Sequence, residues 1–332
     1  MRRRNFIILL GGAAIAWPGI AISEPNDPVR RIGVLMGVAE GDAEVQPRLL
    51  AFQKALQDLG WTDGRNVRID YRFAVADPDR LRAAGAELLS LNPDVLLAQG
   101  TPEVRALLKQ TRTVPIVSPM IADPVGSGLV ESFARPGGSV TGFTSFEEGM
   151  GGKWLGLLKE IAPHLSSVAI LLHPNDEAPS AAVRRSLDTA ASSFAVELTL
   201  IRDAHIERAL DALAVDAFAR KLNTGLIVFP GVYTGAYRYQ ILTLAAKYLW
   251  PGIYPFRDYV IAGGLMSYGA DIGAAFRQAA SYVDRILRGA KPGELPVQAP
   301  TKFQLVINVW AAKVLGLEIP PMLLARADEV IE

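Results

Sequence analysis

A chain of 332 residues, half of them hydrophobic, that has no cysteine and sets 34 Lys and Arg against 34 Asp and Glu excludes several classes at once. It has no disulfide framework, thiolate metal site, cysteine nucleophile or lipid-bearing cysteine, and balanced charge with no basic stripe makes nucleic acid a poor partner. The length supports two cores of ordinary domain size, so two lobes are expected.

Arg2, Arg3 and Arg4 precede an apolar stretch over 6–22 that Gly11, Gly12, Pro18 and Gly19 interrupt. That is a charged n-region followed by an h-region too short for a membrane span. A secretory signal over 1–23 is predicted, with Ala21 and Ser23 as the small residues of a cleavage site near Ser23; an uncleaved anchor is the alternative. Arg3-Arg4-Asn5-Phe6-Ile7 resembles the twin-arginine signature. The protein is therefore expected in the periplasm, and slightly acidic once the arginines of the signal are removed.

Strands and helices then alternate. Residues 31–38 (RIGVLMGV) form a continuous apolar run, as expected for a strand buried on both faces. A helix follows, with Pro47 near its start, Leu49, Phe52, Leu56 and Leu59 at helical spacing, and Gly60 as its stop. Strand 67–73, helix 78–91, strand 95–99, helix 102–111 and strand 116–118 repeat the unit, with Asp77 before Pro78 and Thr101 before Pro102 as caps. After a Gly-rich turn and a short strand at 140–143 the alternation restarts. It runs through helix 153–161, strand 168–172, helix 180–194, strand 196–201, helix 206–218, strand 226–229, helix 236–248 and strand 252–254. Two such series predict an α/β protein of two Rossmann-like, doubly wound parallel-sheet lobes facing each other across a cleft. A further strand at 265–268, a helix at 276–287 and an extended segment at 300–308 predict that the chain returns to the first lobe and recrosses. The first lobe is expected at 30–143 plus about 268–290 and the second at 144–265 plus about 295–332.

Sheets of this kind bind ligands at the carboxyl ends of their strands. There, Thr101 and the amides behind it can hold a carboxylate or serve as a plain helix cap. Asp123 before Pro124 reads as a cap for a further helix, and Met120 as an apolar pocket wall. In the second lobe, Tyr233, Phe256 and Tyr259 offer stacking surfaces, and Arg257 and Asp258 one charge of each sign, either for a ligand or as a surface pair. This mixture suits a small, partly apolar, zwitterionic molecule. The histidines His164, His173 and His205 stand in unrelated contexts, with no zinc spacing, no nucleophile elbow and no phosphate-binding or dinucleotide-binding glycine motif. An exported enzyme of this class would need a site that the sequence does not display.

Thr101-Pro102 after a strand, 122–130 (ADPVGSGLV), 135–142 (RPGGSVTG), Ser267-Tyr268-Gly269, 300–308 (PTKFQLVIN) and 325–331 (ARADEVI) together resemble the tryptophan/tyrosine-type ABC transporter substrate-binding family. The likeness covers nearly the whole chain after the signal. It implies a type I periplasmic binding fold, with two lobes joined by three crossovers that close on a ligand, no catalysis and no cofactor. It also implies a monomer whose partners are a small-molecule ligand and an ABC permease with its ATPase. The implied pocket includes Thr101, Asp123, Asn175, Tyr233, Asp258 and Tyr268, with Thr101 on an acid group of the ligand and Asp258 on an amine. The second-lobe loops, 230–233 and Phe256-Arg257-Asp258, are less polar and acidic than those of the best-known amino-acid binders. Both an amino acid and an aromatic acid without an amine therefore remain open. Closure is expected about 141–145, 263–268 and the segment after Gly289; a sensor subunit for a membrane receptor is the alternative role.

Overall fold

Alternation of side chains across a pleated strand decides where each lobe keeps its core. The computed structural model describes residues 28–42, 45–75, 77–174 and 180–332, so the signal over 1–23 and the pocket residue Asn175 lie outside the described residues. The first series folds as β1 (Arg30–Met36), α1 (Val45–Asp58), β2 (Val67–Phe73), α2 (Pro78–Ser90), β3 (Val95–Ala98), α3 (Thr101–Leu108), β4 (Ile116–Ile121) and β5 (Val140–Thr144). Its strands pair in parallel in the order β2-β1-β3-β4-β5. On β1, Ile32, Val34 and Met36 face Leu49, Phe52 and Leu56 of α1. Leu35 points the other way, into Leu81 and Leu88 of α2 and Leu107 of α3. The run is apolar throughout because helices cover both faces.

The second series comprises α4 (Met150–Ile161), β6 (Ser167–Leu171), α5 (Ala181–Phe194), β7 (Glu197–Ile201), α6 (Ile206–Ala219), β8 (Thr224–Val228), α7 (Val232–Ala236), α8 (Arg238–Lys247), β9 (Gly252–Tyr254), α9 (Arg257–Ile261) and β10 (Met266–Ala270). After α10 (Ile272–Leu287) come β11 (Phe303–Asn308), α11 (Val309–Val314), α12 (Pro321–Ala325) and β12 (Glu329–Ile331). The sheet runs β12-β11-β10-β9-β8-β6-β7 and is parallel except between β10 and β11. Here too β6 serves two cores. Val168 and Ile170 meet Trp154 and Leu187, while Ala169 and Leu171 meet Leu210 and Ile241.

Three crossings join the lobes. The first follows β5. The second falls at Asp271, whose carboxylate accepts from Ala274 N at 2.8 Å and caps α10. This helix leaves the sheet of β10 and buries Phe276, Ala279 and Val283 against the α1 face of the first lobe. Leu295 and Val297 also sink into first-lobe cores, and Gln298 is stitched to β5 through Gln298 N to Gly142 O (3.0 Å) and Thr144 N to Gln298 O (2.8 Å). The third crossing therefore comes only after Gln298. The second crossing lies a few residues beyond the expected 263–268, because β10 pairs as far as Ala270; the third falls within the expected segment after Gly289, at its far side, because Leu295 is still first-lobe core.

Local structure differs from the sequence reading at several points. Asp123 does not open a helix; its carboxylate accepts from Gly126 N at 2.9 Å and closes a turn. The cap of α3 is Gly100 rather than Thr101. The loop that begins at Pro230 turns into a short helix, α7, and the helix expected at 236–248 starts only at Arg238 as α8.

Candidate ligand-binding site

The carboxyl ends of β1, β3 and β4 face those of β8 and β9, and between them lies a cavity of about 810 Å³ including its mouth. The first-lobe wall holds Val38, Asp42, Arg48, Gln99, Thr101 and Met120. The second-lobe wall holds Pro230, Gly231, Arg238, Phe256, Asp258 and Tyr259, and Ser145 and Phe146 from the first crossing form the floor.

Short-range bonds hold the first wall rigid. Gln99 Oε1 accepts from Gly37 N at 3.0 Å, tying the end of β3 to that of β1. Thr101 Oγ1 accepts from Ala122 N at 3.0 Å, which fixes the loop after β4 and leaves the hydroxyl proton to donate. The buried carboxylate of Glu103 accepts from Gly100 N at 2.8 Å at the amino end of α3. The side chain of Glu103 already occupies the helix terminus that the sequence offered to a ligand carboxylate.

The charged groups of the cavity pair across and within the lobes. Asp258 Oδ2 accepts from Arg48 Nη2 at 3.2 Å and from Arg238 Nη1 at 3.1 Å, and Arg238 Nη2 lies 3.7 Å from Asp42 Oδ2. Burial disfavours a charged guanidinium at Arg238, but Tyr239, Asp258 and Asp42 outweigh it and hold its pKa above the ordinary value. Asp258 is 8% exposed, yet its Oδ1 meets no donor among the described residues, and Arg238 Nε meets no acceptor. Buried polar atoms without partners are uncommon in native proteins. Here one acceptor and one donor belong to charged residues of the same wall.

Of the residues singled out in the sequence, Thr101, Met120, Phe256, Asp258 and Tyr259 come together around the cavity. Asp123 is engaged in its turn outside this lining. Tyr233 is buried and stacked on His173, with centroids 4.7 Å apart and rings 5° from parallel. Tyr268 stacks on Phe303, accepts at its carbonyl from Trp154 Nε1 at 2.7 Å and lies under Lys153. Arg257 turns outward and binds Glu329 through two hydrogen bonds of 2.5 and 2.6 Å. Asp42, Arg48 and Arg238 escaped the sequence reading, which did not examine the loop after β1 or the first turns of α1 and α8.

Arg257→Ala is expected to leave ligand affinity within about twofold and to lower stability by under about 1 kcal/mol, because the pair is well exposed. A binding titration and a urea melt of the variant check this.

The family model for ABC transporter substrate binding proteins matches residues 32–331. The chain belongs to that family. A tyrosine-binding protein of Clostridioides difficile (strain R20291) is 26% identical over 272 residues, covering 80% of this chain and 76% of its own length. Among solved structures, a conserved domain protein from Vibrio cholerae O1 biovar El Tor aligns with a TM-score of 0.82 at 28% identity, over 91% of this chain and 100% of that one. The ABC domain from Streptococcus pneumonia in complex with L-Trp aligns with a TM-score of 0.81 at 22% identity, over 92% of this chain and 100% of that one. The substrate-binding protein described here thus has the two-lobed type I periplasmic binding fold. None of its described helices is long and apolar enough to cross a membrane.

Proposed function

We infer that the protein captures a small organic molecule bearing a carboxylate, with aromatic amino acids as the leading class, and delivers it to a permease driven by a separate ATPase. The observation that carries this reading is one interlobe cavity that combines aromatic and apolar walls with buried charges of both signs, among them the unmatched Asp258 Oδ1. A ligand ammonium on Asp258 and a carboxylate on Arg48 or Arg238 would pair each charge with its opposite, with the ring against Phe256 and Phe146. The tyrosine-binding and L-Trp-complexed relatives support the aromatic class. Family membership supports binding without catalysis or cofactor by a monomeric receptor, and the charge and apolar pattern over 1–23 supports export to the periplasm. Closure about the three crossings would present the loaded form to the permease.

Calorimetric titration with L-Tyr, L-Trp and L-Phe, each beside the corresponding arylpropionate lacking the amine, tests the reading. At least one amino acid is expected to bind, with its deaminated partner about 30-fold weaker or worse for loss of a charged hydrogen bond. Equal affinity for the two series would remove the amine from the proposed ligand. No binding by either series at millimolar concentration would overturn the reading.

A further inference from the structure

The four charges of the cavity are distributed with one Arg and one Asp on each lobe. Arg48 (α1) and Asp42 belong to the first lobe, Arg238 (α8) and Asp258 (α9) to the second. Two contacts cross the cleft, Arg48 to Asp258 at 3.2 Å and Arg238 to Asp42 at 3.7 Å, while Arg238 to Asp258 at 3.1 Å stays within the second lobe. The side chains of both crossing contacts are 7–22% exposed.

We propose that Arg48 and Asp42 act with Asp258 and Arg238 as a reversible latch that populates the closed arrangement of the lobes in the ligand-free protein. Opening breaks both crossing pairs yet strands no buried ion. Asp258 keeps Arg238 as its partner, and Arg48 and Asp42 pass into water near each other in sequence. A buried pair whose loss leaves one ion uncompensated is costly to break, whereas one whose members are rehydrated or re-paired is close to balanced. The distribution of charge therefore favours a latch over a permanent clamp. This assignment rests on the cavity being the binding cleft, but its test needs no ligand.

The chain has no cysteine of its own, so Leu50→Cys on α1 and Ile261→Cys on α9, both exposed, place one spin label on each lobe. Pulsed electron-spin distances are recorded on ligand-free protein, with mass spectrometry verifying that no small molecule is retained. The expected result is a short-distance population in the doubly labelled parent, a shift toward longer distances in Arg48→Gln, and a distribution near the parental one in Arg48→Lys. Asp42→Asn, which breaks the other crossing pair, is expected to shift in the same direction and serves if Arg48→Gln does not fold. Unchanged distances in a folded Arg48→Gln or Asp42→Asn protein, or a parent found only at long distance, would overturn the latch. Because the readout is independent of cargo, failure of the aromatic amino acid reading would leave it standing, and the reverse also holds.

Discussion

Asp258→Ala is expected to abolish ligand binding and to lower the unfolding free energy by about 3–5 kcal/mol, the cost of leaving buried ions without their counter-charge. The expectation follows from the position of this carboxylate. It is the shared acceptor of Arg48 and Arg238, whose side chains are 13% and 8% exposed. Removing it leaves Asp42, 3.7 Å from Arg238, as the remaining close counter-charge. Asp258→Asn keeps the shape and an acceptor oxygen, so it recovers part of the stability but not the attraction for a ligand ammonium. Urea denaturation separates the two variants in stability and calorimetry separates them in binding. Full affinity in either variant would show that the ligand does not use this carboxylate.

The second large effect lies far from any charge. Gly142→Ala is expected to destabilise the protein by about 4 kcal/mol, combining backbone strain with overpacking. Gly142 sits in β5 with φ of +143°, and a Cβ there would stand 1.9 Å from the carbonyl oxygen of Ser118 on β4. Its own carbonyl accepts from Gln298 N, and neighbouring Thr141 Oγ1 donates to Leu295 O at 2.6 Å. The residue thus lies where the first and third crossings are laced together. A urea midpoint within a few tenths molar of the parent would mean that β4 and β5 can separate freely. The glycine closing the 135–142 motif is explained by this close approach of two strands and not by ligand contact.

The alternation of strand and helix was readable because each β strand such as β1 must satisfy two helical faces, which makes it apolar along its whole length. The two lobes, the late return of the chain and most strand positions followed from that one constraint. The segment after 308 was harder. Its helices α11 and α12 are 6 and 5 residues long, and β12 is 3 residues, too short for periodicity to speak. At the cavity, Thr101, Met120, Phe256, Asp258 and Tyr259 were visible because they stand at or just beyond the carboxyl ends of strands. Arg48 was hidden beside the buried stripe Leu49, Phe52 and Leu56, where an arginine on a helix ordinarily reads as solvated surface. Arg238 was hidden because the helix expected at 236–248 put it in a first turn, where an arginine likewise reads as solvated surface. Tyr233 and Arg257 have side-chain types suited to a ligand, but a stacked histidine and a distant glutamate claim them, and neither partner is near in sequence.

The placement of α10 also bears on the order in which the molecule can be assembled. The first-lobe sheet is complete in the chain by β5, but the face that α1 covers receives its second helix, α10, and Leu295 only after much of the second lobe has been made. Until then α1 alone packs over Ile32, Val34 and Val117 on that side. A nascent first lobe therefore completes this core only after much of its neighbour has been made. Its closure depends on contacts distant in sequence, which slow folding and prolong the exposure of sticky intermediates.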